Sequence, residues 1–204
     1  MPAEPGSLII RAMSDTPFQP YLQQPFLELA DLLYQSSDRL GQQLNFAAQA
    51  IVHAVTTGGK VMCAGEAEAA LLAQQASQIL VKGHGRERPP LSAMAIAPAR
   101  YEGQASLAQQ VQALGHPGDV WLVFSLETEA PDLVAATEVA HDMDMTLVAF
   151  TGESAMVVGP LLRDTDVWVP LPGSQTDQLF AMAWMSLYAL SSAVDGCLLG
   201  EHGS

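Results

Sequence analysis

Two short segments combine residue types and spacing that could do chemistry. One is Ala64-Gly65-Glu66-Ala67-Glu68. The other is Ser125-Leu126-Glu127-Thr128-Glu129-Ala130-Pro131. Each follows a short apolar run and leads into a helical pattern, so each reads as a strand-to-helix turn. A helix that opens on such a turn presents unpaired backbone N–H groups and the positive end of its dipole. That is a natural site for an anion. The candidate ligand-binding residues are Gly65, Glu66, Ala67, Glu68, Ser125, Glu127 and Thr128. Glu66, Glu68 and Glu127 are acidic, as is Glu129 beside them. A phosphate charge and a carboxylate 4 Å apart repel by about 1 kcal/mol in water and about 4 kcal/mol at an effective dielectric of 20. Two carboxylates facing the turns cancel what a few helix N–H bonds supply. Glutamates at a helix start also gain a few tenths of a kcal/mol from the dipole alone, with no ligand implied. On either reading the loop pair is poor for phosphate. A cation or a basic peptide is the alternative occupant.

The sequence holds no second constellation of this kind. Cys63 and Cys197 form no C-x-x-C pair and neither adjoins a histidine, so they read as buried, reduced thiols. His53, His84, His116, His141 and His202 show no metal-ligand spacing, and no metal or cofactor is expected. No Walker loop, G-x-G-x-x-G or G-x-S-x-G occurs. Met182, Trp184 and Met185 read as core, and Tyr188 as a tyrosine whose hydroxyl satisfies a buried hydrogen bond.

Elements of regular structure must position the two turns. Residues 1–24, with Pro2, Pro5, Pro17 and Pro20, read as a flexible arm. Its only apolar run, Leu8-Ile9-Ile10, is too short for a signal-peptide core or a membrane span, which points to the cytoplasm. Residues 25–204 read as a single domain. A helical pattern starts at Pro25 and carries Phe26, Leu29, Leu32 and Leu33, then Leu44, Ala47, Ala48, Ile51 and Val55. Ser36-Ser37-Asp38 is a candidate break, and Gly58-Gly59 ends the pattern. The stripe packs either on its own domain or between subunits. Strands are predicted at Lys60–Cys63, Leu91–Ala97, Val120–Phe124, Thr146–Phe150 and Val167–Val169. They are apolar on both faces, as buried parallel strands are. Helices are predicted at Ala67–Val81, Gln104–Leu114 and Pro131–Asp142, with a largely apolar last helix over Thr176–Asp195. This alternation gives an α/β fold, a doubly wound parallel sheet with helices on both faces. In such a sheet ligands bind beyond the carboxyl ends of the strands, where both turns lie.

Composition narrows the partners. Half the chain is apolar (49%) and only 15% is charged, so a large core forms. Eight basic against 22 acidic residues give a net charge of −14. Such a surface repels nucleic-acid phosphates and anionic lipid, and attracts a basic partner.

Several segments resemble a known family. Gly58-Gly59-Lys60-Val61-Met62-Cys63, Ala113-Leu114-Gly115-His116-Pro117-Gly118-Asp119-Val120 and Asp144-Met145-Thr146-Leu147-Val148-Ala149-Phe150-Thr151-Gly152 are similar to sugar-isomerase (SIS) domains. The nearest groups are the phosphoheptose isomerases and the DnaA initiator-associating protein DiaA. The resemblance runs with gaps from residue 26 to 199. It implies a five-stranded, flavodoxin-like parallel sheet, an N-terminal helical arm, a homotetramer, and binding of a carbohydrate derivative. Leu190, Val194-Asp195 and Leu198-Leu199 look more like the initiator-associating group.

The departures from the family pattern are as informative. The family's first loop reads G-N-G-[GT]-S-A-A. Here only Gly65 survives and the serine position falls at Ala67. The second loop reads S-T-[SR]-G-N-S. Here Ser125 is kept and Thr128 takes the glycine position. Isomerisation of an aldose phosphate needs a base for the C2 proton and an acid at the carbonyl oxygen. The resemblance implies a glutamate on the helix after the first loop and a histidine on the last helix. Those positions fall at Ser77-Gln78 and near Tyr188. The stretch from Ile96 to Gln110 is also shorter than in the family. The expectation is therefore a non-catalytic SIS-domain protein, a dimer or tetramer with a protein partner such as a replication initiator. Its partner-binding residues are Leu198 and Leu199, after a Gly196 that ends or loosens the last helix. The alternatives are a phosphosugar-binding protein or phosphoheptose isomerase acting on sedoheptulose 7-phosphate, and a hydrolase or transferase with rebuilt chemistry.

Overall fold

The computed structural model describes residues 19–85, 87–99, 103–126, 129–153 and 157–200. The chain divides into two compact units, Met1–Gln35 and Ser36–Ser204. In the first, the described residues 19–35 are helical and belong to α1, Gln19–Thr56. α1 starts six residues before the sequence pattern placed it, so Pro25 lies inside the helix rather than at its start. It also runs through Ser36-Ser37-Asp38 without a break. Serine and aspartate cost a helix interior at most about 0.7 kcal/mol each, too little to stop a long helix. Gly58, at a positive φ of 93°, turns the chain after Thr57 as the sequence indicated.

The second unit carries a five-stranded sheet. Its strands are β1 (Val61–Gly65), β2 (Ala93–Ala95), β3 (Val120–Ser125), β4 (Thr146–Gly152) and β5 (Val167–Leu171). Their order is β2-β1-β3-β4-β5 and every pairing is parallel. Every residue of β1 and β3 is buried, so the sheet is covered on both faces. The helices that follow are α2 (Ala69–Lys82), α3 (Leu107–Leu114), α4 (Pro131–Asp142) and α5 (Thr176–Leu199). α3 and α4 pack together on one face, over Met62, Ala64, Trp121, Val123, Leu147 and Ala149. α2 and α5 pack together and against the strands on the other. α4 has the bounds read from the sequence. α3 starts at Leu107, because Ser106 and Gln109 close a capping box there (Ser106 Oγ accepts from the Gln109 N–H at 3.2 Å).

Polar ties fix what packing leaves free. Asp119 is 1% exposed, and its carboxylate accepts the N–H groups of Lys60 and His116, each at 2.8 Å, and the Lys60 ammonium at 2.5 Å. It joins the amino ends of β1 and β3. Asp166 accepts the Leu147 N–H at 2.9 Å and lies 2.8 Å from His141 Nε2, which joins α4 and β4 to the turn before β5. Arg88 and Asp195 form an ion pair with both side chains 1% exposed. The Arg88 guanidinium also donates to the carbonyls of Leu80 (2.9 Å) and Pro89 (3.1 Å), so the segment after α2 is bound to α5.

α5 departs from the sequence reading at its end. It continues through Gly196 to Leu199 and stops at Gly200, which adopts a left-handed φ of 74°. A helical glycine costs about 1 kcal/mol against alanine, and the buried neighbours Val194 and Asp195 outweigh it. Cys197 is exposed rather than buried, unlike Cys63. α5 is long and apolar enough to match a membrane span by composition. Leu179, Met182, Leu187, Leu190 and Val194 are instead buried, and the helix packs on α2, β4 and β5.

Removing the Asp195 carboxylate leaves a buried, uncompensated guanidinium. Asp195→Ala is expected to lose about 3–5 kcal/mol of stability in urea denaturation. A loss below about 1 kcal/mol would show that the pair does not hold the segment.

Candidate functional site

Parallel pairing sets Gly65 beside Phe124, so β1 and β3 end side by side. From β1 the chain leaves toward α2 on one face of the sheet. From β3 it leaves toward α4 on the other. The two departing loops open a crevice at the point where the strand order reverses, the usual ligand position in this topology. Gly65 is required there by contact. A Cβ built on it would lie 2.5 Å from the Ala69 carbonyl oxygen, because β1 runs directly under the first turn of α2.

The structure brings the two predicted loops together. A cavity of about 160 Å³ between them is lined by Glu66 and Ala67 from the first loop and by Glu129, Ala130, Pro131 and Asp132 from the second, with Pro98, Leu107 and Leu133. Glu66 bridges the gap: its Oε1 accepts the Leu126 N–H at 3.1 Å. Ala67 follows with a left-handed φ of 44°, which costs a non-glycine residue about 1–2 kcal/mol. Glu68 is exposed and makes no side-chain cap on α2. Ser125 is fully buried, and among the described residues its Oγ has no hydrogen-bond partner. An unpaired buried hydroxyl costs about 1–3 kcal/mol. Strand alternation sends it out on the face of Trp121 and Val123, the face that carries α3, α4 and the cavity. Glu127 and Thr128 lie outside the described residues. The helices that open here, α2 and α4, have no side-chain N-cap. Asp132 in the first turn of α4 adds to the negative charge.

No acid–base pair faces the crevice from the places the family pattern indicates. Ser77 is buried and its hydroxyl donates to the Gln74 carbonyl at 2.9 Å. Gln78 points to solvent. Tyr188 OH accepts from Gln75 Nε2 at 3.1 Å, and its ring meets His84 at 4.7 Å. Cys63 is fully buried two residues before Gly65, and burial pushes its thiol far above the usual range, so it is no nucleophile. Among the described residues no group of three His, Cys, Asp or Glu is placed to hold a metal ion.

A SIS domain model matches residues 26–152. This chain belongs to the SIS domain family. The phosphoheptose isomerase of Methylibium petroleiphilum is 36% identical over 190 residues, covering 89% of this chain and 95% of that protein. The DnaA initiator-associating protein DiaA of Salmonella paratyphi B is 31% identical over 183 residues, covering 85% and 93%. The solved phosphoheptose isomerase of Francisella tularensis superposes with a TM-score of 0.78 at 24% identity, covering 88% of this chain and 99% of that one. The SIS fold expected from the sequence is thus the fold found.

The sequence marked both loops of the crevice but not the part played by Leu126, Asp132, Leu107 and Pro98. Leu126 acts through its backbone, which no residue type announces. Asp132 was legible as an acidic residue beside Pro131 in the first turn of α4. Leu107 and Pro98 close the cavity from the shortened 96–110 stretch, whose helical part was expected from Gln104.

The Gly65 contact yields a direct expectation. Gly65→Ala forces β1 and α2 apart and is expected to lose about 1–3 kcal/mol in chemical denaturation. An unchanged midpoint would mean that the approach is looser than the 2.5 Å clash implies.

Proposed function

We propose that this chain is a non-catalytic SIS-domain protein that works in the cytoplasm as an oligomeric binding or regulatory factor, in the manner of an initiator-associating protein. One observation carries the reading. The positions where the family pattern puts a base and an acid hold Ser77, Gln78 and Tyr188, and Ser77 and Tyr188 are bonded within their own helices and neighbours. Serine and glutamine do not accept a carbon-bound proton near neutral pH. The relatives named DiaA support a replication initiator as the class of protein partner.

Two surfaces fit a binding role. Tyr21, Leu22, Phe26, Leu27 and Tyr34 of α1 are exposed, with Leu29 and Leu33 half-buried, an apolar surface suited to a dimer or tetramer interface. At the end of α5, Leu199 is 45% exposed and Leu198 half-buried. We assign these two leucines to partner binding, with several weak anchors acting together in an oligomer. The charge of −14 favours a basic partner.

The second reading is a phosphosugar-binding protein or an active phosphoheptose isomerase. The 36% identity to the Methylibium isomerase favours it. An isomerase assay separates the two. Purified protein at micromolar concentration is expected to convert no sedoheptulose 7-phosphate above the uncatalysed rate. Turnover that tracks the protein through purification and is lost in Ser125→Ala would establish the second reading instead.

A further inference from the structure

The crevice at the ends of β1 and β3 is not an open site with the wrong charge. Glu66 reaches across it and takes the Leu126 N–H for its own carboxylate, 60 residues away along the chain. That N–H belongs to the loop one residue beyond β3, at the point where the strand order reverses and ligands of such sheets bind. Glu66 leaves the chain one residue after β1, and both Glu66 and Ala67 line the cavity. Beside Leu126, the fully buried Ser125 hydroxyl has no partner among the described residues and faces the α3–α4 side on which the cavity lies. The site thus keeps donors for an anion while one of its walls supplies the anion.

We propose that Glu66 is the crevice's built-in ligand: its carboxylate occupies the position of an incoming phosphate group and keeps the site closed to phosphate esters. The inference rests on the non-catalytic reading above and adds the residue that sets its binding specificity. Two effects act together. The carboxylate competes for the Leu126 N–H, and its charge repels a dianion a few ångströms away. Neither effect needs Glu66 to be fully buried, because both act at contact distance.

Two variants separate occupation from charge. Glu66→Gly removes both the acceptor and the charge. Glu66→Gln removes the charge and keeps a carbonyl oxygen that can accept from Leu126. Binding of inorganic phosphate and of sedoheptulose 7-phosphate is measured by isothermal titration calorimetry, with circular dichroism melts confirming that each variant folds. The parent is expected to bind neither probe at millimolar concentration. Glu66→Gly is expected to gain about tenfold or more in affinity, and Glu66→Gln clearly less. A folded Glu66→Gly with no gain, or a Glu66→Gln with the same gain, overturns the proposal. So does a parent that binds either probe as tightly as Glu66→Gly. Turnover of sedoheptulose 7-phosphate by the parent requires that the ester bind, so it overturns the non-catalytic reading and this proposal together; binding by the parent without turnover overturns this proposal alone.

Discussion

Parallel pairing of β1 with β3, in the register Val61 with Val120 through Gly65 with Phe124, sets the geometry on which the rest of the molecule depends. At the amino ends it brings Lys60 to Asp119, whose buried carboxylate collects two backbone N–H groups and an ammonium. At the carboxyl ends it brings the Glu66 loop to the Leu126 backbone. Because the two strands send their chains to opposite faces, the second juxtaposition forms a crevice and not a packed corner. One pairing therefore makes both a structural lock and the candidate site.

What fills that place follows from where the carboxylates stand. A phosphate ester needs several donors and few competing charges. Here Glu66, Glu129 and Asp132 line the small cavity, and Glu66 already holds the Leu126 N–H. The SIS fold is kept, and Glu66 of the first loop bonds the chain's own backbone. Ser77 and Tyr188 are also engaged internally, which directs the proposed binding role to the surface. The exposed aromatic and aliphatic residues of α1 and the leucines ending α5 are the features an assembly or partner could use.

Much of this was legible in the sequence, for identifiable reasons. The strands are short apolar runs between turns, and α4 carries Pro131 at its first position, so period and punctuation located both loops. Local signals failed where distant contacts decided. Gly196 reads as a helix end, yet α5 continues, because Asp195 beside it is tied to Arg88, 107 residues away. The serine pair in α1 reads as a break, and the helix absorbs it. Glu66 reads either as a residue of a ligand loop or as a charge at a helix start. Its role depends on a backbone N–H that no sequence pattern marks, so the acidic loop was visible and its bridging contact was not.

The central claim is that the crevice's backbone donor is held by the chain's own carboxylate. It is tested most directly by the amide proton of Leu126 in a two-dimensional 15N–1H NMR spectrum. An amide bonded to a carboxylate shifts when that carboxylate takes a proton. The Leu126 signal is expected to move as pH is lowered through the titration of Glu66, to lose this movement in Glu66→Gln, and to stay in place at neutral pH when millimolar sedoheptulose 7-phosphate is added. A Leu126 amide that ignores Glu66 and moves instead with added sugar phosphate would contradict it.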